Sequence, residues 1–253
     1  MRIFLYFISL LGLGWYGINS HASQCIAHRG NSSHFFENSL EALQSAAEIK
    51  SHGVEFDLRH TADKKAIVLH DEDLQRVTRH SSLCPRKKKV DTLSFNDLGY
   101  CQLLNGEPIP TLETTLKILS RYPIKVFLEF KDPPTNADLL LINDYYKYSA
   151  ERVYLISFSA SYLFWLYLEI KERNILKQAT LLHLQKYPSQ TTSFHGVNLQ
   201  YNHTTATNIT ELKKQNKQVG VWTVDDPLDI KKFISLSVDF ITTNYPARCL
   251  ARL

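Results

Sequence analysis

The sequence predicts an α/β fold: a closed (β/α)8 barrel of the TIM type with a small insertion after its second strand. Three observations carry this. Short β-branched apolar runs alternate with amphipathic stretches along the chain, the mark of a parallel sheet covered by helices. About eight such units fill roughly 230 residues, a usual length for a barrel of this kind. The alternative, a doubly wound open sheet, lacks its G-x-G-x-x-G turn or P-loop.

Residues 1–22, MRIFLYFISLLGLGWYGINSHA, come first. Arg2 precedes an apolar run of signal-peptide length, no acid is present, and Ser20 and Ala22 are small residues at a cleavage position. We expect cleavage after Ala22, export, and one barrel domain over residues 23–253. The run is shorter than the roughly 20 residues of a membrane span, so no stable span is expected after cleavage. Gln24 before Cys25 is a poor match for a lipoprotein anchor.

CIAH (25–28) reads as the first strand and SLEALQSAAEIK (39–50) as the first helix, with Ser39 placed to cap it. GVEFDL (53–58) and AIVLH (66–70) are the next extended runs. Over residues 71–110 the rhythm breaks. This stretch is mostly polar, lacks a clear helix, and holds the basic run Arg86–Lys89 and two cysteines. It is the expected insertion, on the face where loops carry function. The alternation then resumes. TLETTLKILSRY, NADLLLINDYYKY, SYLFWLYLEIKER, ATNITELKKQNK and PLDIKKFISLS read as helices. KVFLEF, RVYLISF, QATLLH, GVNLQY, VGVWTV and VDFITT read as strands.

The net charge is only +4 at pH 7 and no long segment is dominated by cations, which excludes a nucleic-acid partner. Four cysteines in an exported chain read as two disulfides, and without a C-x-x-C a zinc or redox site is not indicated. Three pairings are open. Cys84–Cys101, closing a local excursion, and Cys25–Cys249, tying the first strand to the last helix, are preferred over the others and over four buried thiols.

Strand residues two apart share a face. Glu55 and Asp57 therefore point one way, into the barrel, while Val54, Phe56 and Leu58 point to the helices. KVFLEF repeats the arrangement with Phe127, Glu129 and Lys131 on one face. Carboxylates crowded on a buried face repel unless a proton or cation intervenes. Three of them make an all-oxygen site for one divalent cation, Ca2+ or Mg2+. His28 ends the first strand and His70 follows the second excursion, with Arg29 and Lys131 available to phosphate oxygens. A lone strand-end His is commonly structural, and a Glu-x-Asp pair also serves ordinary salt bridges. Together they point to phosphodiester cleavage, one His removing a proton and the other supplying one.

These residues lie in HRG, FENSLEA and GVEFDLRHTADKKAIVLHDEDLQRVT, followed by IPTLETTL, FLEFKD, GVWTVDDP and VDFITTNYP. In that order, from His28 to about Pro246, the chain resembles the glycerophosphodiester phosphodiesterase family. The resemblance implies a TIM-barrel enzyme that releases glycerol phosphate and an alcohol from deacylated phospholipids. It implies His28 and His70 as the acid–base pair, Glu55, Asp57 and Glu129 as metal ligands, and Arg29 and Lys131 as phosphate contacts. Glu37 and Asn38 would support the site, and Trp222 would stand at the mouth on the glycerol side. Phe36 replaces the family's usual Pro, Ser39 its Thr, and Asn244 the Asp of T-D-x-P, which removes a charge there. Two alternatives are a related barrel phospholipase acting on lyso- or intact phospholipids, and a non-catalytic glycerophosphodiester-binding module. The expected partner is a small molecule; no oligomeric state is implied.

Overall fold

A computed structural model describes residues 22–189 and 191–253. The expected leader, except for Ala22, lies outside the described residues. Eight parallel strands close into a barrel: β1 (Gln24–Ala27), β2 (Gly53–His60), β4 (Lys125–Phe130), β5 (Val153–Ser157), β6 (Thr180–Gln185), β7 (Gly196–Gln200), β8 (Gln218–Trp222) and β9 (Phe240–Thr243). Pairing of β1 with both β9 and β2 shuts the ring. The run AIVLH is not a barrel strand. Its core, β3 (Ala66–Val68), folds back antiparallel on the end of β2, with Val68 opposite Leu58.

Helices α1 (Leu40–Glu48), α3 (Leu112–Leu119), α4 (Asn136–Tyr146), α5 (Ala160–Arg173), α6 (Ala206–Lys214) and α7 (Pro227–Ser235) cover the outside. Each begins where a polar side chain satisfies free backbone N–H groups: Ser39, Thr111, Thr135, Ser159, Thr205 and Asp226. Pro227 occupies the first turn of α7, where its missing N–H costs nothing. Val54, Phe56 and Leu58 point outward, as their alternation demands, into the cluster that holds Leu43, Leu112 and Leu116. The barrel interior is packed with Ile26, Phe127, Tyr154, Leu182 and Phe240, and the Phe127 and Tyr154 rings stack at 4.3 Å. This plug fills the lower barrel and leaves the C-terminal mouth open for chemistry.

The insertion is less polar inside than its composition suggests. Leu74, Val77, Val90, Leu98 and Leu103 bury themselves against Ile67 and the Cys84–Cys101 disulfide. Its one α-helical turn is α2 (Phe95–Leu98), closed by a Ser94–Asp97 capping box. The second disulfide joins Cys25 of β1 to Cys249 of α8 (Pro246–Leu250). Both preferred pairings are therefore formed. They suit an oxidising compartment. No described helix is long and apolar enough to cross a membrane.

Candidate active site

The first catalytic-face loop is set by an abrupt turn after β1. His28 still bonds to the barrel, donating its N–H to the Thr243 carbonyl at 2.9 Å. Arg29 and Gly30 then take left-handed backbone angles, with φ of 53° and 85°. Gly30 lies so close to α1 that a Cβ would sit 2.5 Å from the Ala42 carbonyl carbon, so the turn admits no side chain there. The turn brings both His28 and Arg29 to the mouth. Arg29 then touches three carboxylates: its N–H donates to Glu55 at 2.9 Å, its Nη1 to Glu37 at 2.9 Å, and its Nε faces Asp57 at 3.3 Å.

The β2–β4 register places Asp57 beside Glu129. With Glu55 they form a buried triad whose oxygens lie within 4.8 Å of one another. Lys131 faces two of them, 3.2 Å from Asp57 and 2.5 Å from Glu129. Asn38, in a left-handed backbone position (φ 58°), donates its Nδ2 to Asp57 at 2.8 Å. Burial and the neighbouring Asp57 and Glu129 charges raise the Glu55 carboxyl well above its ordinary value. Burial and Asp57 push Glu129 up to about 7. Asp57 goes the other way: burial opposes ionisation, but Lys131 and Arg29 hold it low.

This donor set fits a hard divalent cation. Three carboxylates converge, and buried Glu55 Oε1 has no hydrogen-bond donor among the described residues. The charge frustration is of the kind a cation relieves.

The two imidazoles flank the triad with different partners. His28 Nδ1 lies 2.8 Å from the Asn244 side-chain oxygen. Burial first, then Arg29, lowers its pKa to about 4, so it is neutral at pH 7. His70 Nδ1 lies 2.9 Å from the Asp71 carboxylate. Burial lowers its pKa too, as do Lys131 and Arg29, while Asp57 and Asp71 oppose the shift. Arg76 clamps Asp71 at 2.7 Å and also bonds Glu37, joining the insertion to the loop after β1. His28, Arg29, Glu55, His70, Glu129 and Lys131 line a cavity of about 300 Å3 whose far wall is Ile156, Phe158, Leu184 and Trp222. Trp222 is held by its Nε1–H on the Asn198 carbonyl at 2.9 Å and meets the Phe158 ring edge-on.

Every residue singled out from the sequence therefore stands in or directly behind one mouth. Four others were missed: Asp71, Arg76, Phe158 and Asp225, whose carboxylate accepts from the Asn244 side-chain amide at 2.7 Å. Asp71 and Arg76 stand in HDEDLQRVT, already quoted, and a charged residue beside a strand-end His was the signal. Phe158 ends the RVYLISF run. Asp225 carried no such signal.

Cations facing a buried acidic cluster suit a phosphate ester, and imidazoles on either side suit proton transfer to and from it. The barrel with this mouth is a hydrolase of phosphoric diesters. More narrowly, the chain belongs to the glycerophosphoryl diester phosphodiesterase family, whose model matches residues 28–248. It is similar to the Arabidopsis thaliana glycerophosphodiester phosphodiesterase GDPD4, 26% identical over 246 residues that cover 90% of this chain and 72% of that one. The crystal structure of a Parabacteroides distasonis glycerophosphodiester phosphodiesterase superposes with a TM-score of 0.73 at 28% identity, covering 91% of this chain and 96% of that one. An Oleispira antarctica phosphodiesterase, solved with the product sn-glycerol-3-phosphate, shares the fold with a TM-score of 0.75 at 18% identity, covering 91% and 96% of the two chains.

Proposed function

We propose that the enzyme hydrolyses glycerophosphodiesters to sn-glycerol 3-phosphate and an alcohol, with a divalent cation held by Glu55, Asp57 and Glu129 and with His28 and His70 as base and acid. The observation that carries this reading is the unequal pairing of the two imidazoles across one cationic and acidic mouth. The product bound in the Oleispira relative supports the choice of substrate.

Arg29 and Lys131 bind the phosphoryl oxygens, a planar fork and a point charge. Glu55, Asp57 and Glu129 would hold a Ca2+ or Mg2+ ion, which would supply charge stabilisation to those oxygens. His28, neutral and half-buried, takes the proton of the glycerol hydroxyl next to the phosphoryl group. That hydroxyl oxygen bonds to phosphorus as the bond to the head-group oxygen breaks. His70, whose cation Asp71 stabilises, gives the departing alkoxide its proton. In the second half His70 takes a proton from water, which opens the cyclic phosphate, and His28 returns its proton to the glycerol oxygen. Glu37 and Asn38 hold Arg29 and Asp57 in place. The Trp222 and Phe158 rings form the apolar wall for the glycerol carbons. We also infer export, with residues 1–22 removed; the two disulfides accord with it.

The test is release of glycerol 3-phosphate from glycerophosphocholine by residues 23–253, with added Ca2+ or Mg2+ and again with a chelator. Cation-dependent release is expected. A folded sample that releases nothing with either cation, yet cleaves a lyso-phospholipid, would overturn the substrate assignment.

A further inference from the structure

His28 and His70 both need a fixed tautomer, but only His70 has a carboxylate hydrogen-bonded to its Nδ1. Behind His28 stands an asparagine, whose amide can present either an oxygen or an NH2 group. Something must choose. Asn244 Nδ2 lies 2.7 Å from Asp225 Oδ2, a carboxylate oxygen, which accepts a hydrogen bond and does not donate one. Asp225 itself is pinned. Its Oδ1 accepts from the Thr243 hydroxyl at 2.9 Å and from the Asn244 backbone N–H at 2.8 Å. The amide nitrogen is thereby committed to Asp225, and the amide oxygen is turned to His28 Nδ1 at 2.8 Å. An oxygen there requires hydrogen on Nδ1. His28 Nε2 makes no hydrogen bond to the described residues, so its lone pair is left for the cavity.

We propose that Asp225 is the positioning residue for His28 and acts through Asn244. The carboxylate fixes the amide, and the amide fixes the imidazole as the Nδ1–H tautomer with Nε2 bare. The inference rests on the assignment of His28 as the base. It also accounts for an asymmetry. A carboxylate directly on Nδ1, as at His70, favours the imidazolium; an intervening amide transmits orientation and keeps the negative charge one residue away. Asn244 in place of an acid is then no loss of function, because Asp225 supplies the orienting charge from the next strand's loop.

Asp225 also braces the backbone at Asn244, so a purely structural role predicts lost stability too. The tautomer separates the two. Long-range 1H–15N spectra of 15N-histidine-labelled protein, with His28 assigned through His28→Gln, read which nitrogen carries the proton. The expected result is protonated Nδ1 and bare Nε2 in the wild type, and mixed tautomers in Asp225→Asn. With glycerophosphocholine, Asp225→Asn should lose kcat on the order of 10- to 100-fold, with KM within about twofold. Exchanging the pair (Asp225→Asn with Asn244→Asp) should restore the Nδ1–H tautomer and most of kcat. Should Asp225→Asn fail to fold, Asn244→Leu keeps the Asp225 contacts to Thr243 and to the backbone, and should show the same mixed tautomers and lost kcat. A wild-type His28 protonated on Nε2, or an Asp225→Asn protein with unchanged tautomer and kcat, overturns the proposal. So does a variant set that lowers the melting temperature while leaving the His28 tautomer in place. The spectra need no turnover, so failure of the base assignment, seen as an active His28→Ala enzyme, is read separately.

Discussion

Glu129→Gln, studied in chelator, should make the cation-free protein more stable at alkaline pH. Glu129 is 7% exposed and shares its corner with Asp57 and Lys131. Its carboxyl is pushed from 4.5 up to about 7, burial being the largest cause and Asp57 the next. Between those two values the native state keeps a proton that the unfolded chain has released. Stability therefore falls as pH rises through that window, and the loss is complete above about 7. At roughly 1.4 kcal/mol per pH unit the full penalty is about 3 kcal/mol, most of which develops between pH 5 and pH 8. A glutamine of the same shape never ionises and escapes it. His28 drives the opposite trend, since its lowered pKa makes the native state release a proton that the unfolded chain keeps between about 4 and 6.5. Taking the difference between variant and wild type cancels that contribution. Urea unfolding in chelator at both pH values is the assay, and the variant's advantage should grow by about 2 kcal/mol or more. Added Ca2+ or Mg2+ should reverse the order, because a cation at about 1,000 times its Kd returns about 4 kcal/mol to the wild type alone. A difference that stays flat with pH, or a variant less stable at pH 8, would refute the reasoning. The Glu129–Lys131 pair would then outweigh the repulsion.

His28→Ala and His70→Ala should each cut turnover roughly a hundred- to ten-thousand-fold. Cation uptake measured by calorimetry should stay within about twofold; a His70→Ala enzyme with normal turnover would sink the acid–base assignment. Asn38→Ala removes the Nδ2 bond to Asp57 and puts a side chain less suited to positive φ at that position. It should weaken cation binding about tenfold or more and cost about 2 kcal/mol in unfolding experiments. Loss of the two disulfides should be unequal. Cys25–Cys249 spans 224 residues and Cys84–Cys101 spans 17, so chain entropy assigns them about 5 and about 3 kcal/mol. Double alanine variants compared by urea unfolding should rank in that order.

The barrel was legible because its period is simple: alternate residues of GVEFDL and KVFLEF divide cleanly between helices and interior, and that rule alone put Glu55, Asp57 and Glu129 together. The extended run AIVLH was legible but its pairing was not, because a short β-branched run looks the same whether it pairs parallel inside a ring or folds back on its neighbour. The insertion's apolar cluster was hidden for a related reason. Leu74, Val77, Val90 and Leu103 follow neither helical nor strand spacing, and a disulfide and turns gather them. Asp225 and Asn244 are 19 residues apart and meet only where β8 and β9 end side by side. A one-dimensional pattern carries no record of that meeting, and GVWTVDDP alone offers two adjacent acids with nothing to choose between them. Asp226 turns out to cap α7, while Asp225 turns to the neighbouring loop.

The bond between Cys25 and Cys249 makes everything between those two residues a covalent loop. A protease that nicks an exposed segment, such as the stretch from Arg86 to Lys89, would cut the strand without releasing a fragment. The two pieces stay joined at the β1–α8 seam, and for that stretch by Cys84–Cys101 as well, and the barrel keeps its full complement of strands. Such a nicked molecule would migrate as one species until a reductant is added. In a protease-rich setting outside the cell, damage of that kind would leave the mouth and its chemistry assembled.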